Sequence, residues 1–180
     1  SDNELFYYYT EAQKALSKNG YLQEEVSNWA LPDCEAHHNQ KYWQDKPYLG
    51  LGVGACGYLP KGQDPLGVRY SYNNSIQAFI NSDASKVIKF EDSKTLQKEN
   101  RTAQQWLLEY LGSSLRTKKG TDLRIIQDIT GSVYRPSPFV EQAKESGAIS
   151  FKDQKIVLHP REWFRETSWC LELVKGFSDR

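Results

Sequence analysis

Apolar residues recur at helical spacing from the start of the chain. Leu5, Phe6, Tyr9, Ala12, Gln13 and Leu16 share a stripe between Asn3 and Asn19, and Asn19-Gly20 is a stop signal, so a helix is predicted there. Tyr21–Val26 reads as a short strand, and helix, glycine turn and strand make one αβ step of a barrel-like or open α/β sheet. Pro32-Asp33 breaks the chain before His37–Trp43. Tyr48–Leu51 reads as a strand running into a glycine-rich turn. Residues 57–66, with their glycines, prolines and charges, read as a surface loop. Gly67–Tyr72 alternates like a strand, and Asn74 or Ser75 is placed to cap a helix over Ile76–Ile80. From about Asp92 helical patterns dominate. A long amphipathic helix is expected over Thr95–Leu111, a short one over Asp122–Ile129 closed by Gly131, and another over Pro138–Ser146 with Pro at its first position. Ala148–Phe151 and Lys155–Leu158 pair around Asp153-Gln154 as a hairpin, and Pro160 opens a last helix carrying Trp163, Thr167, Cys170 and Val174. Short helices, hairpin and closing helix make a winged-helix-like end. The expected division is residues 1–92 and 93–180.

Composition adds little to the fold and more to the setting. The 180 residues are 38% hydrophobic and 26% charged, as in a soluble globular protein. Net charge is zero, but residues 1–92 hold 8 Lys/Arg against 12 Asp/Glu, and residues 93–180 hold 15 against 11. That asymmetry suits two lobes better than a nucleic-acid binder. There is no methionine, so Ser1 is expected to be a processed or cleaved start of the rear part of a larger protein. Neither end carries an apolar run long enough for a signal peptide or a membrane span. Cys34, Cys56 and Cys170 are odd in number and widely spaced, which argues against a disulfide framework and for a reducing cytoplasm.

Four groups of residues carry candidate chemistry. His37-His38-Asn39-x-x-Tyr42-Trp43 sets imidazoles beside aromatics. Imidazole ligates haem iron and aromatics stack on a flat macrocycle, while the same residues also serve as ordinary packing. Cys34-x3-His38 suggests zinc, but the remaining ligands, Cys56, Cys170, His37 and His159, are dispersed and a structural site needs four. Gly50-x-Gly52-x-x-Ala55 matches a dinucleotide fingerprint formally, yet Pro47 shortens the incoming strand and Gly57 and Pro60 stop the helix that the fingerprint needs. These glycines instead fit a close backbone approach to a ligand or another strand. Glu24 and Glu25 are adjacent on a strand, so only one faces inward, either for acid–base work or as a carboxylate held by backbone amides.

Three runs together, Glu25-Val-Ser-Asn-Trp29, His37-His-Asn-Gln-Lys-Tyr-Trp43 and Gly50-Leu-Gly-Val-Gly-Ala55, resemble the C-terminal half of the oxygen-independent coproporphyrinogen III oxidase-like family of radical S-adenosylmethionine (SAM) proteins. The likeness is to the branch that handles haem. It extends through the looser Leu115-Arg-Thr-x-x-Gly-x-Asp122 and the hairpin. The resemblance implies the C-terminal part of a partial (β/α) barrel followed by a small winged-helix-like α+β domain. It implies haem as ligand with His38 on the iron; by their own chemistry Asn39 is then placed to meet a propionate or orient the ring, and Tyr42 and Trp43 to stack on it. It puts Gly52, Gly54, Ala55 and Cys56 on the SAM side, although the branch usually has His where Cys56 stands, and it makes Glu25 the inward carboxylate at the barrel mouth. SAM and a [4Fe–4S] cluster belong to the parent protein; the C-x3-C-x2-C cluster run does not occur in this chain. The expected function is binding and transferring haem, with coproporphyrinogen III oxidation by the parent and a stand-alone haem module as alternatives. Expected partners are haem or porphyrin, the N-terminal part of the same protein and, through a haem acceptor, the membrane periphery.

The winged-helix-like end is expected to be a packing element. Its recognition-position helix offers Glu141, Gln142, Lys144 and Glu145, and Arg116, Lys118 and Lys119 lie before the motif. Phosphate contacts dominate DNA affinity, so titration with duplex DNA at physiological ionic strength is expected to show no salt-dependent binding at micromolar concentration.

Overall fold

The computed structural model describes residues 2–61, 64–82 and 95–178. In chain order the elements are α1 (Asp2–Lys18), β1 (Leu22–Glu25), β2 (Asn28–Ala30), α2 (His37–Trp43), β3 (Cys56–Lys61), β4 (Asp64–Tyr72), α3 (Ile76–Ile80) and β5 (Leu96–Asn100). There follow α4 (Ala103–Ser114), β6 (Thr121–Asp122), α5 (Leu123–Thr130), β7 (Val133–Tyr134), α6 (Pro138–Glu145), β8 (Ile149–Lys152), β9 (Lys155–Leu158), a 3-10 turn (Pro160–Arg165), α7 (Glu166–Val174) and β10 (Phe177–Ser178). The chain is mixed α/β, and the paired strands described run antiparallel. No described helix is long and apolar enough to cross a membrane. Two compact units emerge, Ser1–Gln44 with Leu107–Arg180, and Asp45–Trp106. The boundary expected at 92/93 lies outside the described residues, and the units follow a different division because the chain returns to the first unit through α4.

In the first unit α1 stops at Asn19-Gly20, where Gly20 adopts φ +82°. β1 and β2 form a hairpin, Leu22 opposite Ala30 and Glu25 opposite Asn28. The winged-helix-like end follows the sequence closely. Asp122 caps α5 by accepting from the Arg124 N–H at 3.0 Å, and the Arg124 guanidinium bonded to its side chain pulls its carboxyl below the ordinary value. Gly131 ends α5 in the left-handed region, and Ser137 caps α6. Asp153 and Gln154, both at positive φ, make the two-residue turn between β8 and β9. β6 joins that hairpin in the order β6-β9-β8. Leu111, Leu115, Ile126, Val140, Ile156 and Leu173 are fully buried. One detail differs from expectation: the last helix opens as a 3-10 turn, capped by His159 Nδ1, which accepts from the Arg161 N–H at 3.3 Å.

The second unit departs further. Residues 57–66, expected as a loop, lie largely in β3 and β4, and Pro60 is tolerated because β3 is an edge strand. The glycines that suggested a loop serve cross-strand packing. A Cβ on Gly57 would fall 2.1 Å from the Tyr70 ring, and one on Gly67 would fall 2.3 Å from the Tyr58 ring, so each tyrosine lies on a glycine. Residues 96–100, expected within a long helix, form β5 against β4; only Leu96 of this strand is buried. Tyr48–Leu51 is not a strand, and Tyr48 makes a single bridge to Tyr58. Ser75 caps α3 as expected, accepting from the Ala78 N–H.

The polar centre of this unit is Arg101, whose side chain is 1% exposed. It donates to Asp45 Oδ1 at 2.7 Å and Oδ2 at 3.1 Å, and to the Leu66 carbonyl at 2.7 Å. Its guanidinium lies 4.3 Å over the Tyr58 ring. The Trp106 indole N–H donates to Asp45 Oδ2 at 2.6 Å. Burial raises the Tyr58 phenol above its ordinary value, and the Asp45 charge adds to that. Asp45→Ala strips the carboxylate shared by Arg101 and Trp106 and is expected to destabilise the protein by about 3 kcal/mol, measured by urea denaturation.

Candidate functional site

The residues singled out by the motifs fall into two places. Glu25 and α2 belong to the first unit, and the Gly50–Cys56 turn belongs to the second.

Glu25 is 3% exposed and ends β1. Its Oε1 accepts from the Ser27 N–H at 3.0 Å and from the Asn28 amide, and its Oε2 accepts from Arg116 at 3.4 Å. Arg116 lies directly after α4, also donates to Glu166 of α7 at 3.3 Å, and covers the Trp43 ring at 4.7 Å. The backbone supports the same junction, with the Val26 N–H donating to the Arg116 carbonyl at 3.1 Å. Glu25 is thus the inward member of its pair, held by amides and one guanidinium. Glu24, less deeply buried, pairs with Lys118 at 2.5 Å in the wall of the same pocket. Beside them Tyr9 donates to the Val26 carbonyl at 3.1 Å; burial raises its phenol above the ordinary value, and the Glu25 charge pushes it the same way.

A small pocket of about 80 Å³ opens next to this clamp, walled by Glu25, Trp29, Asn39, Gln40, Trp43 and Lys119 among others. Helical geometry decides which part of the histidine motif faces it. Asn39 and Trp43, four residues apart, share the stripe that lines the pocket, and His38 and Tyr42 share the adjacent stripe outside its walls. The four residues expected around haem therefore do not share one face. His38 and His37 are exposed. His38 Nε2 lies 2.7 Å from the Tyr42 hydroxyl, and the two rings meet edge to face at 4.9 Å. Trp43 has one ring face under Arg116, and its indole N–H is buried without a described hydrogen-bond partner.

The glycine turn has its own logic. A Cβ on Gly50 would lie 2.0 Å from the Cys56 carbonyl oxygen, so chain packing excludes it, and the Tyr70 hydroxyl donates to the Gly50 carbonyl at 3.1 Å. Gly52 and Gly54 take positive φ. A Cβ on Gly54 would meet the Asn74 side chain, whereas one on Gly52 meets no described atom. Gly52 is thus the SAM-side candidate with open space around it. Ala55 packs beside the Tyr70–Tyr72–Leu96 core, and Cys56 is exposed.

The chain is 34% identical over 105 residues to the heme chaperone HemW of Lactococcus lactis, a match covering 58% of this chain and 24% of that one. It is 40% identical over 52 residues to the heme chaperone HemW of Synechocystis, covering 29% and 13%. The chain is a relative of the coproporphyrinogen III oxidase-like radical SAM family. The bovine mitochondrial radical S-adenosyl methionine domain-containing protein 1 is 44% identical over 55 residues, covering 30% and 12%. Among solved structures, the Escherichia coli coproporphyrinogen III oxidase HemN, described as a radical SAM enzyme, superposes with a TM-score of 0.55 over 91% of this chain and 39% of its own at 18% identity, a likeness of fold. No family model matches. The chain spans about a quarter or less of these curated relatives.

For this radical SAM relative, the cysteines do not fit a cluster site. Cys34 and Cys56 are exposed, Cys170 is buried, and burial raises its thiol. Among the described residues no three His, Cys, Asp or Glu converge as metal ligands. The zinc alternative fails for a local reason too: α2 begins at His37, so Cys34 and His38 do not share a helix face.

The residue that sequence reasoning missed is Arg116. It sits inside the Leu115–Asp122 run, but nothing local tells that it meets a carboxylate 91 residues earlier. Glu25→Ala removes the acceptor common to Arg116, Asn28 and Ser27. A loss of about 2 kcal/mol is expected from chemical denaturation, below the range for fully buried pairs because Arg116 is partly solvated. Arg116→Ala in the same background is expected to add less than it does alone.

Proposed function

We propose that this chain is the haem-binding rear part of a radical SAM haem chaperone, holding haem on the exposed stripe of α2. The observation that carries the reading is the His38–Tyr42 pair, an accessible imidazole braced by an aromatic ring on a seven-residue helix. The sequence similarity to proteins named heme chaperones supports it. Haem bound here supplies an iron centre to be carried and passed on.

The chain's own residues divide the work. His38 offers Nε2 to the iron of reduced haem, and a neutral imidazole suits that ion. The Tyr42 ring meets the His38 ring edge to face from one turn further along, and its hydroxyl gives up Nε2 when iron binds there. Asn39 and Trp43 act from the pocket side: with Arg116 and Glu25 they fix the rotation of α2, so that the His38 stripe stays outward. His37, also exposed, lies off that stripe and takes no part. Gly52, with open space around it, and its neighbours Gly54, Ala55 and Cys56 form the wall proposed for the SAM side in the parent protein. The parent's cluster is left to residues outside this chain.

Coproporphyrinogen III oxidation by the parent is the second reading. The His37–Trp43 run favours the chaperone over it, and the likeness to HemN is one of fold alone.

The test is a titration with dithionite-reduced haem, followed by visible absorption, on wild type, His37→Ala and His38→Ala, with folding checked by circular dichroism. His38→Ala is expected to lose affinity by about tenfold or more, since removal of the ligand leaves only apolar ring contact. His37→Ala is expected to match wild type. Equal binding by all three proteins would overturn the assignment of His38.

A further inference from the structure

We infer that the small pocket beside α2 takes a carboxylate, one propionate of the haem proposed to bind at His38, with Lys119 as its charge partner. This rests on the haem-binding reading above and adds the point at which the acid edge of the ligand is held.

Charge in the pocket wall is already matched except at one residue. Glu25 is held by Arg116 at 3.4 Å, by the Ser27 N–H and by the Asn28 amide, and Glu24 is held by Lys118 at 2.5 Å. Lys119 stands in the same wall, exposed, with no hydrogen bond or ion pair among the described residues. With Arg116 counted, three cations meet two carboxylates around this pocket, so the balance favours an anion. Neutral donors point to the same guest. Asn39, Gln40 and Gln44 all line the pocket, and none of their side-chain amides has a partner among the described residues. Each amide can turn two N–H donors toward an anion, and a carboxylate has about four lone-pair sites to receive them. Trp29 and Trp43, in the same wall, have buried indole N–H groups, two more donors for which the described residues supply no acceptor.

Size excludes the macrocycle and admits its acid arm. The cavity is about 80 Å³, enough for a carboxylate group but well below the roughly 300 Å³ at which pockets begin to enclose drug-sized ligands. Position then selects the source of the carboxylate. Asn39 follows His38 directly on α2, about 100° round the helix, so one ligand can meet His38 with its iron and offer an acid arm to the adjacent stripe. Holding at two points makes the second contact intramolecular, which raises affinity and fixes the rotation of the ring about the iron bond. One polar contact thereby joins the iron ligation and the apolar ring contact. A free dicarboxylate shares the acid chemistry but lacks the iron contact.

Dithionite-reduced haem and its dimethyl ester, in which both propionates are capped, are titrated into wild type, Lys119→Gln and Lys119→Arg. Visible absorption gives affinity, and circular dichroism checks the fold. Wild type is expected to bind the ester about tenfold more weakly than the free acid. Lys119→Gln should bind the free acid about fivefold more weakly than wild type and the ester equally well, so that most of the preference is lost. Lys119→Arg should keep it. In a parallel arm glutarate is titrated without haem and followed by tryptophan fluorescence; it is expected to bind far more weakly than haem, lacking the iron contact. Acid and ester bound alike by wild type, or a preference that survives Lys119→Gln intact, refutes the inference and leaves the haem-binding reading standing where binding still depends on His38. Glutarate binding that needs Lys119, with acid and ester haem bound alike, assigns the pocket to a free carboxylate and refutes the propionate. Failure of wild type to bind either haem refutes both readings.

Discussion

A single buried carboxylate organises the part of the molecule that bears the histidine motif. Glu25 lies at the end of β1 with almost no exposure, and burying an ionised carboxylate is tolerable only when charge and hydrogen bonds replace water. Arg116, Asn28 and the Ser27 amide do this. Because Arg116 also reaches Glu166 and covers Trp43, one charge pair ties the β1–β2 hairpin, α2, the end of α4 and α7 together. The orientation of α2 follows from that tie: with Trp43 under Arg116, Asn39 and Trp43 line the pocket, while His38, one position round the helix, is exposed.

The second unit solves a similar problem with different residues. Arg101 is enclosed by the Asp45 carboxylate, the Leu66 carbonyl and the Tyr58 ring, and Trp106 shares the same carboxylate. Neither guanidinium takes part in the proposed chemistry. Both place aromatic rings, and the rings place the segments that carry the motifs.

Much of the local structure was legible in the residue order, and the exceptions share one cause. The caps at Asp122 and Ser137, the stop at Gly131, the two-residue turn at Asp153-Gln154 and the limits of α1 all depend on bonds within a few residues of one another. Residues 57–66 and 96–100 differ from the local expectation because their structure depends on partners elsewhere in the chain. Gly57 and Gly67 look like turn residues until Tyr70 and Tyr58 are seen lying on them, and Gln97–Asn100 show no alternation because they are exposed on an edge strand held by β4.

The sequence by itself carried the resemblance to the family, the winged-helix-like end, and the choice of Glu25 and His38 as residues of interest, since motifs and caps are written in neighbouring positions. Only the tertiary structure decided what they do to one another. It put Arg116 on Glu25 across 91 residues, set Trp43 and Asn39 in a pocket wall with His38 exposed outside it, and grouped residues 1–44 with 107–180 in one compact unit. The physical reason is that ion pairs, ring contacts and strand pairing are short-ranged in space and indifferent to separation along the chain, so no periodicity or spacing announces them.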